Sequence, residues 1–310
     1  MLRVALVGIG DAGRHHARAL ATLEREGVLA WSAFVARDAA RIEPFRKETG
    51  ATAPSFASLD ALLDARACDA VVLATPDGLH GEQVVRAADA GVHVLVEKPL
   101  ALSREDGARA VDAARARGVA LQVGYQLRHH AGHRVMKEKL AEIGALREIE
   151  VRWAWPDPAT TGWRARGQDA RFWALAALGT HAIDLALFFA DATPIRTTML
   201  RAPASGVDRA SHVVMELGTG VLAHVSCSVT HRALSRVLLV GDRGELEALG
   251  TLGARGTGAI ALRPLRDEPR PIAFEAVDPY LAQLRAFVAR RGFVPDDALL
   301  ANLDVLDAQP

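Results

Sequence analysis

The sequence predicts an α/β domain built on a parallel sheet, followed by an α+β domain with a large, mainly antiparallel open sheet. Three observations predict it. A glycine-rich turn, Gly8-Ile9-Gly10-Asp11-Ala12-Gly13, joins an apolar strand to a helix near the start of the chain. Short β-branched runs then alternate with helical stretches as far as about residue 122. Beyond that point strand-like runs succeed one another across glycine turns such as Leu217-Gly218-Thr219-Gly220. Residues 1–122 are therefore expected as one domain and 123–310 as the other.

The 310 residues, half of them hydrophobic, supply core for about two domains. Lys and Arg number 37, as do Asp and Glu, so the formal charge is zero. That balance removes the electrostatic case for nucleic acid or an anionic membrane as main partner. No apolar run approaches the roughly 20 residues that span a bilayer. The chain enters a strand by about Leu2, which leaves no room for a signal peptide. Cys68 and Cys227 are the only cysteines, too few for a cysteine-rich zinc site. A reducing cytoplasm is the expected setting.

Arg3 to Val7 reads as the first strand and Arg14 to Arg25 as helix. Between them, Gly8 permits the tight turn, Gly10 lets backbone approach a pyrophosphate, and Gly13 lets helix and strand pack closely. The helix N-terminus offers free N–H groups to phosphates. A dinucleotide is the expected ligand, with a methyltransferase cofactor as the competitor. His15 and His16 read as packing or surface residues. The second strand, Trp31 to Ala36, ends without the acid that binds ribose hydroxyls. Arg37 stands there instead, with Arg41 a turn on, which favours the 2′-phosphate of NADP over NAD; the alternative leaves Arg37 solvated and Asp38 on the ribose.

Thr52-Ala53 is expected as a short edge strand, and Ser58 as the cap of a helix through Arg66. Ala70 to Ala74 is the next strand, ending in Thr75-Pro76-Asp77-Gly78-Leu79-His80. A helix to Ala90 leads into His93-Val94-Leu95-Val96, apolar enough to be covered on both faces. Pro99 then forces the chain out of the sheet. Lys98 is thus held at the carboxyl end of a parallel strand, where open α/β sheets bind ligands. Ser103 begins another helix, with Asp106 three residues on in a capping-box arrangement. Ala120 to Gly124 closes a Rossmann-type set joined by right-handed crossovers.

In the second half, Ala131 to Glu142 reads as helix, Leu146 to Trp155 as strand, and Pro156 to Gln168 as loop. Phe172 to Ala190 is a long apolar helix carrying His181 and Asp184. Seven strand-like runs follow from Ile195 to Glu275, then helices at Pro279 to Arg290 and Asp296 to Ala308. The last is a candidate to return to the first domain. One sheet face is expected under helices and the other free for a subunit contact, as in a homodimer or homotetramer. The cluster Arg128-His129-His130-Ala131-Gly132-His133 has no Asp, Glu or Cys close by, so no metal is expected there.

VGIGDAGRHH, ATPDGLH, VLVEKPLA, GYQLRH and ALGTHAIDLALFF together resemble the glucose–fructose oxidoreductase, inositol dehydrogenase and rhizopine-catabolism family (Gfo/Idh/MocA), over essentially the whole length. The resemblance implies hydride transfer between a nicotinamide and a carbinol or carbonyl carbon, often of a sugar or polyol. It implies that Gly8, Gly10 and Gly13 cradle the pyrophosphate, that Thr75, Pro76 and His80 line the cofactor site, and that Glu97 and Lys98 lie beside the nicotinamide. Trp163 and Arg164 match a Trp-Arg pair reaching over from the second domain. Tyr125, Arg128, His181 and Asp184 fall where members contact substrate. One departure is Ala177, where dehydrogenating members commonly carry Asp.

Hydride transfer needs a proton moved on the same oxygen, and Lys98 with His181 are the candidates to manage it. On these residues the chain is expected to be an NADP-preferring oxidoreductase of sugar-like small molecules. Ala177 keeps two rivals open: a cofactor-binding sensor that has lost turnover, and a hydrolase or lyase using tightly bound NAD.

Overall fold

The computed structural model describes residues 1–157, 171–203, 206–290 and 296–308. The chain divides into two compact units, Met1–Gly124 with Tyr280–Asp296, and Tyr125–Pro279 with Asp297–Pro310. The segment of the second half that joins the first unit is thus Tyr280–Asp296. The terminal residues, the expected candidates to return, group with the second unit.

The first unit alternates β1 (Leu2–Val7), α1 (Asp11–Arg25), β2 (Leu29–Val35), α2 (Ile42–Thr49), β3 (Ser55–Phe56), α3 (Leu59–Asp64), β4 (Ala70–Leu73), α4 (His80–Asp89), β5 (His93–Val96), α5 (Arg104–Ala116) and β6 (Leu121–Val123). The sheet order is β3-β2-β1-β4-β5-β6, and every pairing is parallel. The order reverses between β1 and β4, the switch point at which such sheets take ligands. Val4–Val7, Ala70–Leu73 and Val94–Val96 are all buried, as a sheet covered on both faces requires. The expected edge strand lies later than Thr52-Ala53. Pro54 lacks an N–H, but its carbonyl accepts from Phe34 N–H (3.0 Å), so pairing with β2 starts there and runs on to Phe56. Ser58 and Ser103 cap α3 and α5 through Ala61 N–H and Asp106 N–H (both 3.1 Å).

The second unit contains α6 (Ala131–Glu138), β7 (Leu146–Ala154), α7 (Thr180–Ala190), β8 (Pro194–Ala202), β9 (Ala210–Leu217), β10 (Leu222–Ser228), β11 (Arg236–Gly241), β12 (Gly244–Leu249), β13 (Ala259–Pro264) and β14 (Arg270–Ile272). The chain then enters α8 (Pro279–Val288), which belongs almost wholly to the first unit, and ends in α9 (Asp296–Asp307). The sheet order is β14-β13-β12-β11-β7-β10-β9-β8, antiparallel except where β7 and β10 pair in parallel. Side chains alternate across it. Ile149 and Val151 are buried with Val213, Val225 and Val237, while Leu200, Val214 and Leu222 are exposed on the opposite face. The expected helix from Phe172 begins instead with a π-helical turn over Leu175–Gly179. Asp208 explains where it starts: this buried carboxylate accepts from Trp173 N–H (2.7 Å), Leu175 N–H (2.9 Å) and the Ser211 hydroxyl (2.8 Å). At the other end Lys137 Nζ donates to the carbonyls of Phe188 and Phe189, matching cation to helix C-terminus. No helix among the described residues is long and apolar enough to cross a membrane.

Candidate active site

At the carboxyl edge of the first unit's sheet, each strand's successor still hangs on its neighbour. Gly8 N–H donates to Val35 O (3.1 Å), Ala74 N–H to Val7 O (2.7 Å), Glu97 N–H to Leu73 O (2.8 Å) and Gly124 N–H to Val96 O (2.6 Å). The ladder therefore fixes where each loop leaves. Gly8 has φ +99°, and a Cβ there would stand 2.3 Å from Ala74 O. A Cβ on Gly13 would stand 2.2 Å from Gly8 O. Both glycines are demanded by close backbone approach. Gly10 differs: a Cβ there would meet nothing within 4 Å. The first bond of α1 runs from Arg14 N–H to Gly10 O (2.9 Å), so the amides of Asp11, Ala12 and Gly13 lie ahead of the helical ladder. Open space before a 15-residue helix with its first amides outside the ladder fits a pyrophosphate.

Around that loop the sequence-predicted residues gather. Arg41 donates to Ile9 O (3.4 Å), which ties its guanidinium to the glycine-rich turn. Arg37 is exposed just past β2, and the Asp38 carboxylate caps Ala40 N–H (3.0 Å). Thr75 donates its hydroxyl to Gln83 Oε1 (2.6 Å). His80 is fully buried; Nδ1 faces Pro99 O (2.7 Å) and Nε2 faces Thr75 O (2.9 Å). It staples the loop after β4, which carries Pro76, to the loop after β5. Glu97 is buried and half-buried Lys98 follows it, with a cis peptide bond to Pro99. His16, expected as packing or surface, is fully buried, with Nε2 on Glu97 Oε1 at 2.8 Å. Its signal was present in the sequence: three residues beyond Gly13, it lies on the same face of α1.

The second unit gathers another constellation. His181 lies in the first turn of α7, with the Tyr125 ring 6.4 Å away edge-on and the Trp153 ring at 5.8 Å. Tyr125 is buried, and burial raises its hydroxyl pKa well above the ordinary value. Arg128 Nε donates to both oxygens of Asp184 (2.9 and 2.8 Å). Asp184 is 1% exposed; burial raises its pKa while Arg128 opposes that. Asp184 therefore acts on Arg128 first. Asn302, which sequence reading missed, accepts from the Thr180 hydroxyl (2.8 Å) and donates to Thr180 O (3.0 Å), beside His181 in the chain. Nothing in the local sequence signals a partner 122 residues away. Ala177 lies inside the π turn. Trp163 and Arg164 fall outside the described residues. His133 and His130 are bonded to Leu127 O, Thr251 Oγ1, Gly132 N and Thr257 O, while His129 is buried nearby.

Residues 2–125 match the model of the Gfo/Idh/MocA oxidoreductase family, NAD-binding Rossmann fold, and residues 133–247 match the Gfo/Idh/MocA C-terminal domain. The chain is 32% identical over 218 residues to a dTDP-3,4-didehydro-2,6-dideoxy-alpha-D-glucose 3-reductase of Saccharopolyspora spinosa, covering 69% of this chain and 65% of that one. It is 29% identical to a 1,5-anhydro-D-fructose reductase of Ensifer adhaerens, over 75% of this chain and 72% of that one. Among solved structures, a 3-ketoreductase from Actinomadura kijaniata in complex with NADP and TDP-benzene superposes with a TM-score of 0.85 at 25% identity, over 99% of this chain and 96% of that one. An aldose-aldose oxidoreductase from Caulobacter crescentus shares the fold, with a TM-score of 0.86 at 22% identity over 99% of this chain and 95% of that one. The chain belongs to the Gfo/Idh/MocA oxidoreductase family.

Proposed function

We propose that this member of the Gfo/Idh/MocA family transfers hydride between a nicotinamide dinucleotide and a carbinol or carbonyl carbon of a sugar, polyol or related small molecule. One observation carries the reading: Lys98 leaves the carboxyl end of β5 at the side of the sheet's switch point, between two anchored neighbours. The bound cofactor supplies or accepts the hydride. Lys98 moves the proton on the reacting oxygen, and the strand end holds it there. His181 is the second unit's candidate to orient a substrate oxygen. Arg128, its charge offset by Asp184, offers its remaining guanidinium N–H groups to neutral hydroxyls. The amides of Asp11, Ala12 and Gly13 bind the pyrophosphate. Thr75, Pro76 and His80 shape the cofactor site beside Glu97.

NADP is the preferred cofactor. No carboxylate stands at Ala36 or Arg37, Asp38 is turned to its own cap, and Arg41 is tied to the glycine-rich loop. A second copy of the chain covers the outward sheet face with Leu200, Val214 and Leu222, giving a homodimer or homotetramer. The free thiols of Cys68 and Cys227 suit the cytoplasm. The deciding experiment screens sugars, polyols and their keto forms with both nicotinamides, following absorbance of the reduced cofactor. Turnover of any of these supports the reading; none with either cofactor sinks it.

A further inference from the structure

Both neighbours of Lys98 in the chain are gripped by buried histidines from different helices. On one side His80, at the start of α4, takes Pro99 O at 2.7 Å. On the other, His16 in α1 takes Glu97 Oε1 at 2.8 Å, and the other oxygen of Glu97 accepts the Lys98 backbone N–H at 3.2 Å. His16 is 0% exposed and Glu97 4%. A pair of ionisable groups so deeply buried is costly unless its geometry is kept.

The space that lets the pair form is cleared by small residues. β4 lies between β1 and β5, so His16 must pass over its end. Just past that end stands Ala74, and Gly13 packs on it with only 3.9 Å from an added Cβ to the Ala74 Cβ. On the far side, a Cβ on Gly124 would stand 3.1 Å from Glu97 Cα and Cδ. Glu97 is therefore confined from both sides. The Tyr280 ring meets His16 edge-on at 5.0 Å.

We propose that His16 is a positioning residue for Lys98: from the helix that receives the cofactor phosphates, it holds the Glu97 carboxylate and, through it, the Lys98 backbone. This rests on the reading of Lys98 as the proton-moving group. It also explains why His16 belongs to α1. The helix whose first amides face the cofactor carries, one turn later, the side chain that braces the reacting loop.

Three variants test it. His16→Ala removes the contact. His16→Asn and His16→Gln carry the same amide, but only Gln has the reach of the imidazole Nε2. Hydrogen exchange on the cofactor-free protein, read by mass spectrometry, should show peptides spanning residues 95–102 exchanging about tenfold faster in the Ala and Asn variants, while β1 stays protected. In His16→Gln those peptides should behave as in the wild type. In steady-state assays kcat should fall on the order of 10–100-fold for Ala and Asn, with KM and NADPH affinity within about twofold, and Gln should recover most of it. If the Ala variant does not fold, the Asn and Gln pair decides alone. Unchanged exchange, equal behaviour of Asn and Gln, or cofactor affinity falling in step with kcat overturns the proposal. Lys98→Met separates the two levels. If it keeps turnover within about threefold of wild type, far short of a general acid–base contribution, the reading of Lys98 fails and this proposal with it. If it is inactive while the His16 variants are normal, only the positioning role is lost.

Discussion

In the first unit the candidate groups stand at strand ends; in the second, His181 and Asp184 stand on one helix. The strand-end groups are placed by the backbone ladder, whose bonds continue one residue past β1, β4, β5 and β6 partners. The helix-borne groups are held by side chains far away in sequence, Asp184 by Arg128 and Thr180 by Asn302. The histidines divide the same way. In the second unit His133 meets a carbonyl at Nδ1 and a hydroxyl at Nε2, and His130 meets an amide N–H and a carbonyl. Each ring is satisfied as a neutral imidazole. In the first unit both partners of His80 are carbonyls, and a neutral ring can donate to only one of them. His130 and His133 are thus fixed packing residues of the second unit, whereas His80 clamps two loops.

The largest expected effect breaks the first unit's side of that contrast. Lys98→Met should lower kcat/KM by on the order of 10²–10⁴ while NADPH still binds. Steady-state kinetics and a fluorescence titration of NADPH check both halves; a comparable loss of cofactor binding would mean that the strand end serves the cofactor instead.

Asp184→Asn should act on stability before chemistry. It leaves the Arg128 charge, 12% exposed, without its carboxylate. Breaking a buried pair costs about 3–5 kcal/mol, and the partial exposure of Arg128 puts this one at the lower end. Urea unfolding measures it. A loss below about 1 kcal/mol would place the pair with surface ion pairs.

Acid should weaken the second unit next. Burial lowers the pKa of His129 to about 4 and of His133 to about 3, against an ordinary 6.5. The unfolded chain therefore takes up these protons first. Their contribution is complete above pH 6.5 and is lost as pH falls towards 4, by about 2 kcal/mol per histidine at pH 5. Chemical unfolding between pH 7 and 5 should show the loss, and His133→Gln should flatten the slope. An unchanged slope in that variant would remove His133 from the account.

The smallest effect concerns cofactor choice. Arg37→Ala and Arg41→Ala should each weaken NADPH by about tenfold and leave NADH nearly unchanged, the value of one charge-assisted contact. Calorimetric titration with both cofactors tests it; equal losses for NADPH and NADH would show that the arginines merely support the loop.

Much of the first unit could be read along the chain because its rules are local. A glycine with a positive φ, a proline that ends a ladder and a serine cap act within a few residues of themselves. Hence Gly8, Gly13, Lys98 and Ser103 stand where their neighbours imply, and the alternation of apolar runs yields the parallel sheet. The second unit's strands were legible for the same reason, since alternation of side chains is a period of two.

What the chain could not declare were the partners brought together by folding. The burial of His16 against Glu97 needs α1 to cross the end of β4. The start of the π turn needs Asp208, 35 residues from Trp173. The parallel pairing of β7 with β10 needs the whole crossover between them. Sequence determined which residues can make a turn, a strand or a hydrogen bond, because those capacities belong to single residues. Tertiary structure decided which of them meet, because a contact between distant residues depends on every element packed in between.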